Sequence, residues 1–277
     1  MMRPLLITLL LALTPLLASA QGRDRGSFSM LTEPDAAVEG GGKLDLRESR
    51  LTTGLPPIIR GGSMVNIGLE WTHYEFETEG TLPADFTTDS IGLPVRWGFG
   101  PRNGLAGSLI FSPSLRTDFD GISMDDVGLA GLALGSYPWR TNVTVIFGAV
   151  YSRSFGRDRL FPALGATLTP TTNWQVDLVF PRPRVSYQAT EKTKVYLGVE
   201  PGGDQWNVHQ QGVARDLALE EYRAGGGLEY ALRGRLSLAL QAGQVFARNV
   251  KIYDGRDRES KRDLEDTWFA RIGLVYK

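Results

Sequence analysis

Histidine and cysteine, the side chains most often recruited to metals and to nucleophilic chemistry, are scarce in this chain. It holds 2 histidines, His73 and His209, and 0 cysteines among 277 residues. A zinc site needs several such ligands at short spacing. Two distant histidines without a thiolate do not meet that need, so neither a metal nor a cofactor is expected. Their simpler reading is an aromatic-belt position for His73, beside Trp71 and Tyr74, and a strand end for His209. A serine hydrolase needs a serine, a histidine and an orienting group. The sequence has no Gly-x-Ser-x-Gly elbow, and Ser108, Ser112 and Ser114 alternate as on any polar strand face. No catalytic residue is assigned, and the chain is read as non-enzymatic. Asp118, Asp120, Asp125 and Asp126 cluster near Arg116. Carboxylates are hard ligands for calcium, but the spacing matches no calcium loop, and a solvated loop is the preferred reading. The segment from Lys251 to Asp266 mixes charge signs, which solvates a loop and rarely builds a directed site.

The elements that must carry these residues belong to an exported protein. Met1–Ala20 has a basic start at Arg3, an apolar stretch from Leu5 to Leu17, and the small-x-small site Ala18-Ser19-Ala20. This is a secretory signal peptide cleaved after Ala20. It is too short for a membrane-spanning helix and is interrupted by Pro4 and Pro15. The remainder offers no long apolar run, and the mean hydropathy of −0.15 is too polar for a helical membrane protein. Formal net charge is −1, with no basic stripe to suit a nucleic acid. Without cysteine, an exported chain has no disulfides to hold it, so closure of a sheet or burial of a core must do so.

From about Ser63 onward, apolar residues alternate with small or polar ones. Successive side chains of a strand point to opposite faces, so this pattern builds a sheet with one greasy face. Ile91, Leu93, Val95, Trp97 and Phe99 against Ser90, Gly92, Pro94, Arg96 and Gly98 is the cleanest stretch. The simplest use of such a sheet in an exported chain is an all-β, antiparallel up-and-down transmembrane barrel. It would have roughly 10–12 strands and lie in a bacterial outer membrane. Residues 21–62 are read as an irregular periplasmic segment, with Leu44 and Leu46 as a candidate first short strand. Residues 63–277 form the barrel. The alternation changes parity between Phe180 and Val185, and again between Val199 and Trp206, so each place needs a bulge or a turn. Strand number hinges on two points. Pro201-Gly202-Gly203-Asp204 is either a hairpin turn, with a further strand at Ala163–Thr169, or a kink in one long strand, with 163–169 left as a loop. Long connections are expected at 77–85, 117–125 and 251–266 on the outer side. Short turns are expected opposite, at 100–104, 138–142 and 233–234.

Phase also assigns the charges. Glu70, Arg96, Arg116, Asp177, Arg223, Glu229 and Arg271 fall on the polar face. On the lipid face each would cost about 2–4 kcal/mol near the bilayer midplane, so they are expected to line the lumen. There they would serve either as cross-barrel ion pairs that fill it or as a lining for solutes.

The runs Phe161-Pro162-Ala163-Leu164-Gly165, Trp174 through Tyr187, Tyr196-Leu197-Gly198 and Trp268 through Tyr276 resemble a family of bacterial outer-membrane β-barrels known as a domain of unknown function. The resemblance implies the fold and the address and brings no substrate. Arg271–Tyr276 also resembles the terminal strand signal read by the barrel-assembly machinery, although this chain closes on Lys277. The expected protein is a monomeric narrow channel or structural barrel that meets outer-membrane lipid and lipopolysaccharide. The alternatives are a lipid-modifying hydrolase of the same membrane and a soluble periplasmic β-protein.

Overall fold

A computed structural model describes residues 26–80, 85–101, 104–152, 159–210, 213–254 and 257–277. The expected leader Met1–Ala20 lies outside them. The segments in chain order are β1 (Gly26–Ala37), β2 (Gly42–Gly54), β3 (Ile58–Arg60), β4 (Ser63–Gly80), β5 (Phe86–Gly92), β6 (Val95–Phe99), β7 (Ala106–Thr117), β8 (Val127–Arg140) and β9 (Val143–Ser152). They continue with β10 (Arg159–Leu168), β11 (Trp174–Val179), β12 (Arg184–Gln188), β13 (Thr193–Gly202), β14 (Gln205–Gln210), β15 (Val213–Arg233), β16 (Leu236–Asp254), β17 (Asp257–Leu264) and β18 (Thr267–Tyr276). Four barrel strands are each interrupted once: β2 with β3, β5 with β6, β13 with β14, and β17 with β18. The result is a closed antiparallel barrel of 14 strands. Its seam is β18 on β1, in register from Gly26↔Tyr276 to Thr32↔Ala270.

The outer surface of this ring is apolar. Leu197 is 67% exposed, Leu164 61%, Phe111 54% and Ile272 54%. In water, such a continuous apolar surface would exceed what a monomer tolerates. With every strand paired into a ring, hydrocarbon can wet it without leaving backbone groups bare. Trp97, Phe99, Tyr137, Trp139, Tyr230 and Tyr276 border the band at the end that carries the short turns and both described chain ends. Trp71, Tyr222, Phe246 and Trp268 border it at the other.

Above that second border the barrel narrows. β11 and β12 are only 6 and 5 residues long, whereas β15 has 21 and β16 has 19. The long strands β1, β2, β4, β5, β7, β14, β15, β16 and β17 continue and close on one another. β14 reaches β7 through one parallel pair, Asn207↔Thr117. β17 reaches the end of β1 through the bridge Val38↔Leu264. This smaller collar is inverted relative to the membrane ring: charges face out and apolar side chains face in. Leu44, Leu46, Tyr74, Phe76, Trp206, Val208, Leu217, Leu219, Val250 and Leu264 are all buried in its bore.

The collar corrects several sequence expectations. Residues 26–54 are not irregular but form β1 and β2, full members of the barrel. Their pattern is hard to read because Leu44 and Leu46 point inward at a height where Lys43 and Arg47 meet water. A bulge between Glu33 and Ala36, with Asp35 at φ 50°, also breaks the parity of β1. The two added strands, a strand at β10 and a kink at residues 203–204 bring the count to 14 instead of 10–12. No phase slip occurs at that kink. Gly202, Asp204, Trp206 and Val208 stay buried on one face; the bore around them changes from polar to apolar. The parity change after Phe180 is a turn, with the Arg182 N–H donating to Val179 O at 2.8 Å. Most of the expected outer loop at 251–266 is strand, as β16 and β17.

Candidate functional site

The bore is divided into layers. Beneath the apolar collar lies a sheet of charge built from the inward residues of β1, β2, β15 and β16. Arg223 donates to Glu33 at 2.6 Å and to Glu48 at 3.3 Å, and lies 2.8 Å from Glu221. Arg248 donates to Glu33 at 2.7 Å and to Glu221 at 3.0 Å. Arg50 lies 3.2 Å from Glu48 and 3.6 Å from Glu70. Three buried glutamates thus face three arginines. Such a layer costs much desolvation and is retained only while every charge keeps its partners. Gly202 makes room for it: a Cβ there would stand 2.6 Å from Glu221 Oε1 and 3.0 Å from Arg223 Nε.

Above the layer, the Trp206 ring meets Tyr74 at 4.7 Å and Phe76 at 5.3 Å, both edge-on, and Phe76 stacks on Phe86 at 4.5 Å. Trp206 is 0% exposed. Below the layer, toward the short-turn end, the bore opens into a cavity of about 590 Å³. Ser27, Ser29, Thr167, Tyr196 and Gln241 supply part of its polar lining.

The seven charges expected in the lumen fall in different layers. Arg223 and Glu70 join the charge layer. Arg271 lies in the cavity, donating to Glu200 at 2.8 Å and Gln241 at 3.0 Å. Asp177 also lines the cavity, accepting from Thr167 Oγ1 at 2.7 Å and Gln175 Nε2 at 2.8 Å. Arg116 pairs with Asp204 at 2.6 Å near the collar. Glu229 pairs with Lys277 at the short-turn end. Arg96 sits across from Asn66 in register and shares its inward face.

Sequence reasoning missed Glu33, Glu48, Arg50 and Arg248. The first three lie in the stretch read as irregular. Arg248 hides behind a bulge: the register shifts between Glu220 and Tyr222, and Ala247 opposite takes φ 53°. Simple alternation with Phe246 would send Arg248 outward. The bulge turns it in, where it is 3% exposed. Glu221 was legible, since it alternates with Arg223 on the polar face.

The histidines are held singly. His73 Nδ1 lies 3.1 Å from Asp89, and its ring centroid is 6.0 Å from that of Trp71. His209 Nδ1 lies 3.3 Å from Asp118. In the acidic loop, Asp118 also accepts from the His209 N–H, and Asp126 accepts from the Ser123 N–H at 2.5 Å. Among the described residues no cluster of three or more histidine or acidic side chains is placed to hold a metal.

The family model described as Domain of unknown function (DUF6268) matches residues 104–277. The chain belongs to that family. The match runs from the turn before β7 to the last residue, and the β1–β6 portion of this DUF6268 barrel lies before it. Among proteins of curated function none matches. Among solved structures, the chain is similar to an outer membrane channel from Pseudomonas putida F1, at 11% identity over 94% of this chain and 98% of that one, with TM-score 0.48. It is also similar to the translocator domain of autotransporter NalP from Neisseria meningitidis, at 14% identity over 94% and 90%, with TM-score 0.41. A third similarity is to the KdgM porin, at 10% identity over 91% and 98%, with TM-score 0.41.

Proposed function

We propose that this protein is a non-enzymatic outer-membrane β-barrel. It is exported by removal of Met1–Ala20 and stands closed at its outer end while its lumen opens to the periplasm. The observation that carries the reading is the pairing of two storeys. A 14-strand ring has an apolar exterior, and a collar above it has its bore filled by Trp206, Tyr74, Phe76 and their neighbours. The first fits hydrocarbon and the second blocks passage. The first and last described residues and the short turns share one end, which suits the periplasmic face; the long strands then project outward. The role is that of a narrow channel shut at rest or of a structural membrane protein.

Partners follow from the same geometry. The wet exterior of the collar carries Lys43, Arg47, Lys261 and Arg262 among acidic neighbours, and would meet lipopolysaccharide. β18 closes the barrel on β1 and carries Arg271–Tyr276, the stretch that the assembly machinery would read. The barrel is taken as a monomer, with its ring complete in one chain.

Purified protein in a planar bilayer tests the closed state. The expected record is silence or rare brief openings after insertion, with insertion scored by faster migration unboiled than boiled in SDS. Extraction by salt without detergent, or a boiled and unboiled band at the same position, would remove the membrane reading altogether.

A further inference from the structure

The cavity below the charge layer is lined by three arginines: Arg182, Arg184 and Arg271. Arg182 and Arg184 flank Pro183 at the turn that joins β11 to β12, at the end of these two strands away from the short-turn end, and the Val199 N–H fixes that turn by donating to Pro183 O at 3.0 Å. Both line the cavity, and the charge of Glu200 on the same wall reaches Arg182. Among the described residues no carboxylate oxygen is found within 4.0 Å of either guanidinium, and Glu200 keeps its close contact with Arg271. Asp177, in register with Arg184 on the next strand, already has its oxygens on Thr167 and Gln175. The Arg184 guanidinium instead lies 3.5 Å from the Tyr196 ring centroid, which orients the cation and leaves its edge free. Arg271 is held on one side by Glu200, but its Nε is buried with no hydrogen-bond partner among the described residues. A buried donor without an acceptor is costly, and here it lines the same space.

Planar guanidinium edges at one cavity, with serine, threonine and glutamine beside them, match an oxyanion. We propose that this cavity binds a small soluble anion carrying a carboxylate or phosphate group, taken from the periplasm. Arg182 and Arg184 supply the main contacts and Arg271 Nε a further donor. The proposal rests on the barrel reading above for its periplasmic address.

The test is titration calorimetry on the intact protein in detergent, with inorganic phosphate and with succinate as probes. The expected result is saturable binding of at least one probe, weakened about tenfold or more in the Arg182→Gln/Arg184→Gln variant and unchanged in Arg47→Gln, which lies on the outer surface of the collar. The heat-dependent SDS mobility shift reports whether each variant is folded. If the double variant loses the shift, the two single variants are expected to fold and to weaken binding individually. Wild-type protein that shows the shift but binds neither probe would overturn the proposal while leaving the barrel intact, as would equal affinity in the folded variants. Competition by phosphatidylglycerol added to the micelles would assign the arginines to a lipid headgroup and likewise overturn a soluble ligand. Loss of the mobility shift in wild type would count against the barrel instead.

Discussion

At the scale of single residues, the charge layer sets the demands. Arg248 lies between Glu33 and Glu221 and is nearly inaccessible to water. Replacing it with Met keeps the volume but leaves two buried carboxylates facing each other with one cation, Arg223, between them. Breaking a buried pair by removing one partner typically costs about 3–5 kcal/mol. Arg248→Met should therefore lower the temperature at which the unboiled band converts to the unfolded position in SDS, whereas Arg47→Gln on the wet exterior should leave it unchanged. Gly202 tests the same layer sterically. A Cβ 2.6 Å from Glu221 Oε1 forces the carboxylate to move, and Gly202→Ala should destabilise by roughly 1–3 kcal/mol, read by the same transition. A silent Gly202→Ala would mean that the layer is looser than the observed contacts.

At the scale of elements, strand phase decides which side chains meet lipid. Leu93 faces outward, and Leu93→Arg should cost about 2–4 kcal/mol in the membrane and reduce assembled protein. Gly92 faces the lumen, where an added Cβ has nothing closer than 3.8 Å, so Gly92→Ser should assemble normally. Equal levels of the two variants in the outer-membrane fraction would contradict the register. Register can also be shifted mid-strand. Deleting Ala247 removes the bulge in β16 and restores plain alternation, with Arg248 and Val250 still inward, but it slips β16 by one residue against β17, where Arg248 faces Leu264. That deletion should lower the temperature at which the unboiled band converts in SDS by loosening the β16–β17 pairing, while Ala247→Gly, which suits the positive φ, should not. The same bulges explain the limits of the sequence. Plain alternation gave away β4 to β9 and β18, because hydrocarbon outside and polar lumen inside impose one rule on every residue. It failed at the collar parts of β1 and β2, around Ala36, Leu44 and Leu46, where the outside is water and the inside is apolar, so the rule runs backwards. It misjudged the 203–204 kink for that reason too: the inward face persists there, but its chemistry changes from charge to Trp206 and Val208.

At the scale of the whole molecule, two barrels of different width share one set of strands. The wide one belongs to the membrane, and the narrow one is a soluble-type core standing above it. Of the charges assigned inward from phase, Arg223 is buried against Glu33 and Glu48, and Arg271 donates to Glu200 and Gln241. What they meet there depended on β1 and β2, unread in the sequence, and so did the division of the lumen into a sealed outer part and an open inner one. This division is the central claim, and the absence of cysteine makes it directly measurable. Single substitutions Lys43→Cys, on the outer surface of the collar, and Ser29→Cys, in the cavity, are reconstituted separately into vesicles. A charged, membrane-impermeant thiol reagent is then added outside. Lys43→Cys reports the fraction of molecules with the collar outward. A sealed bore predicts that Ser29→Cys is labelled only in the complementary fraction, so that the two fractions together account for the whole population. Complete labelling of Ser29→Cys whatever the orientation would mean that the reagent passes through the collar, and would contradict the closed barrel.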